Sequence, residues 1–226
     1  MSGYWDRRFR EEGRIWGHAP SSTAARAEGE FLKAGARRIL VPGVGYGRNA
    51  EYFSECGYEV TGVEISPEAL RLVKVGSAVR YVQGSVLDLE APREGYDGVY
   101  CYNVLHLFLR EDRRKCVRKC HGALKPGGTA FFAVFSNAEP QYGRGREVEE
   151  NTFESKPGRP VHFYTDADLR ADFSGFQIVE TGTMEDPENH GSEGPHIHVL
   201  RYILARKRSL DFDGGKYAEA SRHQKE

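Results

Sequence analysis

Apolar residues along the chain fall in short, β-branched-rich runs separated by longer amphipathic stretches. The run Arg38-Ile39-Leu40-Val41-Pro42 closes on three alternating glycines, Gly43, Gly45 and Gly47, and flows into a helix-compatible stretch from about Arg48 to Cys56. Strand, tight turn and helix is the order this predicts, with Gly57 as the glycine beyond the helix end. Tyr58 to Ser66 alternates and predicts a second strand. Ser66-Pro67 then starts a helix over 68–75 that stops at Gly76. Val79 to Gln83 predicts a third strand, with Gly84 to Asp88 as its exit, and Asp97 to Tyr102 a fourth. A helix from about Glu111 to Leu124 is broken by Leu124-Lys125-Pro126-Gly127-Gly128. The continuous apolar run Thr129 to Phe135 then predicts a strand buried on both faces. Thr165 caps a helix over 166–173, and Phe176 to Glu180 and His196 to Ala205 supply strands six and seven.

This order predicts an α/β, doubly wound, Rossmann-like sheet. Seven strands run mostly parallel, the last is antiparallel, and helices lie on both faces. No helix separates the last two strands, which therefore pair directly. Right-handed crossovers bring the 43–47 turn, Glu64, Gly84 to Leu87, Cys101 to His106, Ser136 onward and the 181–195 connection to one edge.

Three stretches fall outside the repeating pattern. Residues 1–20 hold both tryptophans among several arginines. This extension is expected either to dock on the sheet flank or to cover the cleft, with Trp16 against a ligand. Of Arg7, Arg8 and Arg10, at least two are expected to face solvent. Ser21 and Ser22 then cap a helix reaching about Ala34, and the main domain runs to 206. Residues 136–162 are expected to be one long connection, where Tyr142, Arg144 and Arg146 either cap a substrate or simply face solvent. Residues 207–226 form a polar tail expected to be mobile.

The chain has 226 residues and a net charge of −1, which gives no general case for nucleic acid or an anionic membrane. No run approaches the roughly 18 apolar residues of a membrane-spanning helix. The N-terminus lacks the apolar core of a secretory signal. Cys56, Cys101, Cys116 and Cys120 show no Cys-x-x-Cys pattern, so a reducing, cytoplasmic setting is expected. Cys116 and Cys120, one helical turn apart, are expected to be half-buried helix cysteines in preference to a metal or redox pair. Nothing in the pattern specifies an oligomer.

The glycines permit φ > 0, close backbone approach and tight strand–helix packing, and the following helix N-terminus suits an anionic or carboxylate-bearing ligand. Glu64, ending the second strand, sits where a carboxylate can accept both hydroxyls of a ribose; the alternative is a solvated strand-end glutamate. Together with Asp97-Gly98-Val99-Tyr100, Asn103-Val104-Leu105-His106 and Leu124-Lys125-Pro126-Gly127-Gly128, these features resemble the class I S-adenosylmethionine-dependent methyltransferases over about residues 20–206. Val41-Pro42-Gly43 is similar to the thiopurine and thiol methyltransferase branch. Gly47-Arg48-Asn49-Ala50 and Trp16 to Pro20 are similar to the tellurite-resistance branch.

The resemblance implies S-adenosylmethionine as cofactor and S-adenosylhomocysteine as product. Gly43, Gly45 and Gly47 would pass under the methionine part. Glu64 would bind the ribose with Ile65 beside the adenine, Ser85 and Val86 would edge the adenine, and Tyr102 and Asn103 would lie near the methyl donor. Pro42 and Ser85 depart from the pattern, since many relatives carry an acid at each position. The implied acceptor is a small molecule, with a thiol, sulfide or metalloid favoured by the branch likeness.

Methyl transfer from a sulfonium is an in-line displacement that needs a base only where the acceptor loses a proton. His106, His196 and His198 are the candidates, and Trp16, Tyr142 and His190 are candidate substrate contacts. His196 and His198, two apart on a strand, point the same way, and with His190 they could hold a metal. Nothing fixes His190 relative to them, and acid/base work or substrate contact by at least one of them is the preferred expectation. Two other functions share the architecture: a nicotinamide oxidoreductase, disfavoured by the glycine spacing and final strand pair, and a non-catalytic cofactor-binding relative.

Overall fold

The computed structural model describes residues 2–90, 92, 95–189 and 194–209. The elements are α1 (Ser2–Glu12), α2 (Ser22–Lys33), β1 (Arg38–Pro42), α3 (Arg48–Glu55), β2 (Glu59–Glu64), α4 (Pro67–Arg71), β3 (Arg80–Gln83) and β4 (Tyr96–Tyr102). There follow α5 (Arg110–Ala123), β5 (Leu124–Phe135), β6 (Arg146–Glu149), β7 (Thr152–Lys156), β8 (Arg159–His162), α6 (Asp166–Asp172), β9 (Gln177–Asn189) and β10 (Pro195–Arg206). Short 3₁₀ turns at Val86–Asp88 and Leu105–Leu107 follow β3 and β4.

The main sheet has the order β3-β2-β1-β4-β5-β10-β9. β1 to β5 pair in parallel, and β10 runs antiparallel between β5 and β9. The doubly wound class expected from the sequence is present. The apolar run of β5 supplies both faces, as period-two alternation requires. Ala130, Phe132 and Val134 join Cys116, Val117, Cys120, Leu169 and Phe173 of α5 and the α6 segment. Phe131, Ala133 and Phe135 join Ala24, Ala27, Phe31, Ala50 and Phe53 of α2 and α3. Cys116 and Cys120 are therefore fully buried core, more enclosed than expected.

Five expectations need correction. Residues 136–162 are not one irregular connection, because β6, β7 and β8 form a separate antiparallel sheet. Lys156 pairs across a Pro157-Gly158 turn with Arg159, and Gly158 has φ +71°, the dipeptide and geometry of a type II turn. Charged residues at the strand ends hid this alternation. Residues 181–189 are not loop but continue β9, which runs 13 residues. Polar residues are tolerated there because β9 is the sheet edge. The fourth helix is only Pro67–Arg71, and β5 begins at Leu124, directly after α5. Ser21 does not cap α2 with its side chain; its hydroxyl bonds Thr23 Oγ1 (2.8 Å) and Tyr100 OH (2.9 Å) instead. The tail beyond 209 lies outside the described residues.

Segment 2–20 carries α1, which docks on the α4 end of the sheet. Arg10 bonds Glu68 at 2.9 Å, Ser66 Oγ donates to Asp6 Oδ1 at 2.5 Å, and Arg14 donates to the Leu72 carbonyl. Among the described residues, no helix is long and apolar enough to cross a membrane.

His162 is buried at the end of β8, with its Nδ1 2.9 Å from Thr152 Oγ1 and its ring against Tyr164. Burial first, and then the charge of Arg113, lower its pKa to about 3. An unfolded chain binds a proton there near pH 6.5 and the native state does not, so stability rises with pH between these values. Acidification from pH 6 to 4 should therefore destabilise the wild type. His162→Asn should remove about 1.4 kcal/mol per pH unit of that slope in chemical denaturation. An unchanged slope would show that His162 is protonated in the native state.

Candidate active site

The cleft lies at the carboxyl ends of the parallel strands and holds about 220 Å³. The three-glycine turn after β1 forms one wall. Gly43 has φ +65°, and a Cβ there would stand 2.2 Å from Val104 Cγ2. Gly47 has φ +96°, and a Cβ there would meet the Tyr81 hydroxyl at 2.1 Å. Gly45, at φ +57°, is different: its nearest neighbour would be Phe9 Cζ at 3.9 Å, so it presents bare backbone to the cleft. These two kinds of glycine serve packing and ligand approach respectively.

Glu64 ends β2 and is buried. Its two carboxylate oxygens accept from Gly45 N and Ser66 N, each at 2.9 Å. Burial raises its pKa, while the backbone donors of Ser66, Gly45 and Ile65 act in the opposite direction. A carboxylate has about four acceptor sites, so acceptor capacity remains for a ribose hydroxyl. Asn103, leaving β4, has φ +54°, and its Oδ1 is buried with no hydrogen-bond partner among the described residues. A buried acceptor of this kind calls for a donor. Gly45, Glu64 and Asn103 thus fit a ligand with a ribose diol and an ammonium group, as S-adenosylmethionine has. Ile65, Ser85 and Val86 also line the cleft. Ile65 is 38% exposed, and Ser85 Oγ is engaged in capping Leu87 N at 3.1 Å.

The extension closes over the glycine turn. Trp16 stacks on Tyr46 at 6.1 Å, Phe9 meets Tyr46 edge-on at 6.2 Å, and the Tyr46 hydroxyl bridges Trp16 N and the Gly17 carbonyl. Trp5, Phe9 and Trp16 all line the cleft. The segment docks on the flank through α1 and borders the cleft through its aromatic rings.

A buried polar network joins the β9 arm to the core. Arg48 pairs with Glu188, and the Tyr102 hydroxyl lies 2.8 Å from Glu188 Oε1 and 2.5 Å from Asp186 Oδ2. One phenolic proton serves one of the two carboxylates at a time. Burial, and then Glu188, push the Tyr102 pKa well up. Ser22 completes the network by donating through N (3.1 Å) and Oγ (2.7 Å) to Asp186 Oδ1. Tyr102 lines the cleft but is committed to this latch.

The histidines divide by position. His106 Nδ1 accepts from Phe135 N at 3.3 Å, so the ring carries its proton on Nε2. Its ring stacks on Phe135 at 4.2 Å, and Phe135 in turn stacks on His198 at 4.8 Å. Burial, and then the charge of Arg159, hold the His106 pKa well below the usual range, so it is neutral. His198 Nδ1 lies 2.6 Å from Glu139 Oε1, and Glu139 Oε2 accepts from Val199 N at 2.7 Å. A carboxylate so placed accepts from the Nδ1–H and turns Nε2 towards His196. His198 Nε2 is 3.0 Å from His196 Nε2 and 3.9 Å from Glu188 Oε2.

His106 and His198 line the cleft, while His196 stands behind His198. Tyr142 does not line it. It is 43% exposed, bonded to Asn151 Oδ1 at 2.8 Å and packed on Phe153 and Phe163, while its neighbour Gln141 borders the cleft. His190 lies outside the described residues. Glu139, Arg48, Arg159 and Lys156 were not singled out from sequence. The Asp186-x-Glu188 and His196-x-His198 spacings did carry a signal, since period-two residues on paired strands share a face.

Residues 40–132 match the family model described as a methyltransferase domain. Over 105 residues the chain is 32% identical to the ubiquinone biosynthesis O-methyltransferase of Xanthomonas campestris pv. campestris, covering 44% of this chain and 43% of that protein. The chain spans about half the length of the curated relatives it matches. Two solved structures share the fold. One comes from work on the conversion of a disulfide bond into a thioacetal group during echinomycin biosynthesis, with TM-score 0.72, 21% identity, and coverage of 92% of this chain and 93% of that one. The other is Burkholderia thailandensis 1,6-didemethyltoxoflavin-N1-methyltransferase with bound 1,6-didemethyltoxoflavin and S-adenosylhomocysteine, with TM-score 0.67, 22% identity and coverage of 92% and 87%.

The glycine geometry separates two substitutions. Gly43→Ala forces a side chain into Val104 as well as a left-handed backbone, and should cost roughly 2–4 kcal/mol of stability. Gly45→Ala meets only the backbone strain, about 1–2 kcal/mol, and should fold while losing affinity for S-adenosylhomocysteine. Thermal unfolding and calorimetric titration of both variants check this; equal stability losses would contradict the packing role of Gly43.

Proposed function

We propose that this chain, which carries a class I S-adenosylmethionine-dependent methyltransferase domain, methylates a small-molecule acceptor in the cleft described above. The observation that carries the reading is one cavity lined both by the cofactor-type residues Gly45, Glu64 and Asn103 and by the paired histidines His106 and His198. The cofactor, when bound, supplies an activated methyl group. The 43–47 turn would cradle it with the bare backbone of Gly45, Glu64 and Asn103 would orient it, and Ile65, Ser85 and Val86 would border its base. The aromatic rings of the extension act as a lid that excludes water, which strengthens electrostatics inside the site.

The histidines take complementary roles. His106 would donate from Nε2 to the acceptor, and the His196–His198 pair, oriented by Glu139, would take up the proton that the acceptor loses as its bond to the methyl forms and the sulfur–methyl bond breaks. His196 stabilises the proton once transferred. A base suits an acceptor that must lose a proton, whether oxygen, nitrogen or sulfur. The relatives' names include O- and N-methyltransferases, while the motif likeness adds thiols, sulfides and metalloids; the acceptor screen covers all of them. A cytoplasmic setting is supported by four unpaired cysteines.

Isothermal titration with S-adenosylmethionine, S-adenosylhomocysteine and NADH tests the cofactor assignment. Both sulfur nucleosides should bind saturably at micromolar concentrations and NADH should not. Glu64→Ala should weaken binding tenfold or more, about 1.5–3 kcal/mol for hydrogen bonds to a charged group. Failure of both nucleosides to bind would sink the methyltransferase reading. Binding without turnover on any acceptor class would make the chain a non-catalytic relative. His198→Gln should retain S-adenosylhomocysteine binding and lose at least 100-fold in turnover.

A further inference from the structure

The acceptor end of the cleft is built from few kinds of group. Trp5 and Phe9 of α1, Leu107 and Phe108 after β4, and Phe135 at the end of β5 supply apolar, mostly aromatic walls. The charged residues around them are engaged within the protein. Arg8 bonds Glu12 at 3.1 Å, and Glu188 pairs with Arg48. Arg159 donates to Tyr4 OH at 3.3 Å and lies over the rings of Tyr4 (5.3 Å) and Trp5 (5.7 Å). Lys156 borders a neighbouring pocket together with Glu11 and Glu12. An ionic group on the acceptor would have to displace one of these partners to gain one of its own.

His106 is the exception. It is 2% exposed and lines the cleft. Its Nδ1 accepts from Phe135 N at 3.3 Å, which puts the proton on Nε2, and no described residue accepts from that Nε2–H. The ring is stacked on Phe135 at 4.2 Å, so the core fixes the direction of the donor. Burial, and then the charge of Arg159, keep the imidazole neutral. A buried donor without an acceptor is costly, so the site favours a ligand that supplies one. A neutral donor amid apolar walls suits a neutral oxygen. One hydrogen bond offsets the desolvation of a carbonyl, whereas it does not offset that of a carboxylate.

We propose that His106 is a specificity-determining residue whose Nε2–H receives a carbonyl oxygen, and that the methyl acceptor is an uncharged, apolar ring molecule carrying that carbonyl besides the atom to be methylated. This rests on the methyltransferase reading and adds the acceptor's chemical class. Trp5, Phe9 and Phe108 border the ring. With the carbonyl held at His106 the ring lies one way round, and the atom to be methylated is the one left for the His196–His198 pair.

The test uses wild-type protein saturated with S-adenosylhomocysteine at pH 7. 5-Hydroxy-1-indanone is titrated against 5-indanol, and 6-hydroxy-1-tetralone against 5,6,7,8-tetrahydro-2-naphthol, by calorimetry and ligand-observed NMR; each pair differs only in the carbonyl. A third pair, 6-acetyl-2-naphthol and 6-hydroxy-2-naphthoate, sets a neutral carbonyl against an anion. At least one ketone should bind roughly fivefold or more tightly than its carbonyl-free partner, and the acetyl compound more tightly than the naphthoate. The ketone preference should hold as salt rises from about 0.05 to 0.5 M, because the donor carries no charge. His106→Asn keeps an acceptor for Phe135 N and lacks the Nε2 donor, so it should bring each ketone within about twofold of its partner. His106→Gln, whose amide reaches the Nε2 position, should restore part of the preference. S-Adenosylhomocysteine binding by each variant confirms its fold. Equal affinity within both ketone pairs, no binding of any ring, tighter binding of the naphthoate, or a preference that survives His106→Asn would overturn the proposal while leaving the cofactor assignment intact. Failure of the wild type to bind S-adenosylhomocysteine would overturn both.

Discussion

The cofactor end of the cleft depends on one buried carboxylate. Glu64 is held by Gly45 N, inside the glycine turn, and by Ser66 N, at the start of α4. Ser66 in turn caps Ala69 N and donates to Asp6 of α1. A single side chain thereby sets the turn against the end of β2 and, through Ser66, fixes the helix that carries Phe9 over Gly45. An acid that only bound ligand would stand free towards the cleft. This one also organises the backbone around it, so its removal would disturb the pocket shape as well as the pocket chemistry.

At the other end the ordering element is Phe135. Its ring lies between His106 and His198, and its backbone N–H fixes the tautomer of His106. Glu139, one short turn further on, fixes the tautomer of His198. Phe135, at the end of β5, and Glu139, about one turn beyond it, therefore each hold one ring through its Nδ1. The last residue of the strand at the centre of the core thus borders both histidines of the site, which couples packing to the site through very few atoms.

The parallel sheet was legible because each βα unit is a local pattern: an apolar run, a glycine or Ser-Pro boundary, and an amphipathic stretch. Glu64 and the glycines were legible for the same reason, since their roles follow from position within one unit. What escaped depends on contacts distant in sequence. The length of β9 is set by pairing with β10, and its acids gain meaning only opposite Arg48 and Tyr102, 140 and 84–86 residues away. Glu139 looked like one more charged residue in a polar connection. Tyr142 drew attention as an aromatic residue in a long loop, yet the local sheet turns it onto Phe153 and leaves Gln141 at the cleft. The β7–β8 hairpin could have been seen from Pro157-Gly158 between two short alternating runs.

The cysteines have a consequence of another kind. Cys56 is exposed, whereas Cys101, Cys116 and Cys120 are sealed in the core beneath α5. A thiol reagent can reach the first at once and the others only when that helical layer parts from the sheet. The protein thus carries an internal clock: one fast alkylation marks the native surface, and the delay before the next three reports how often, and how cooperatively, the layer opens.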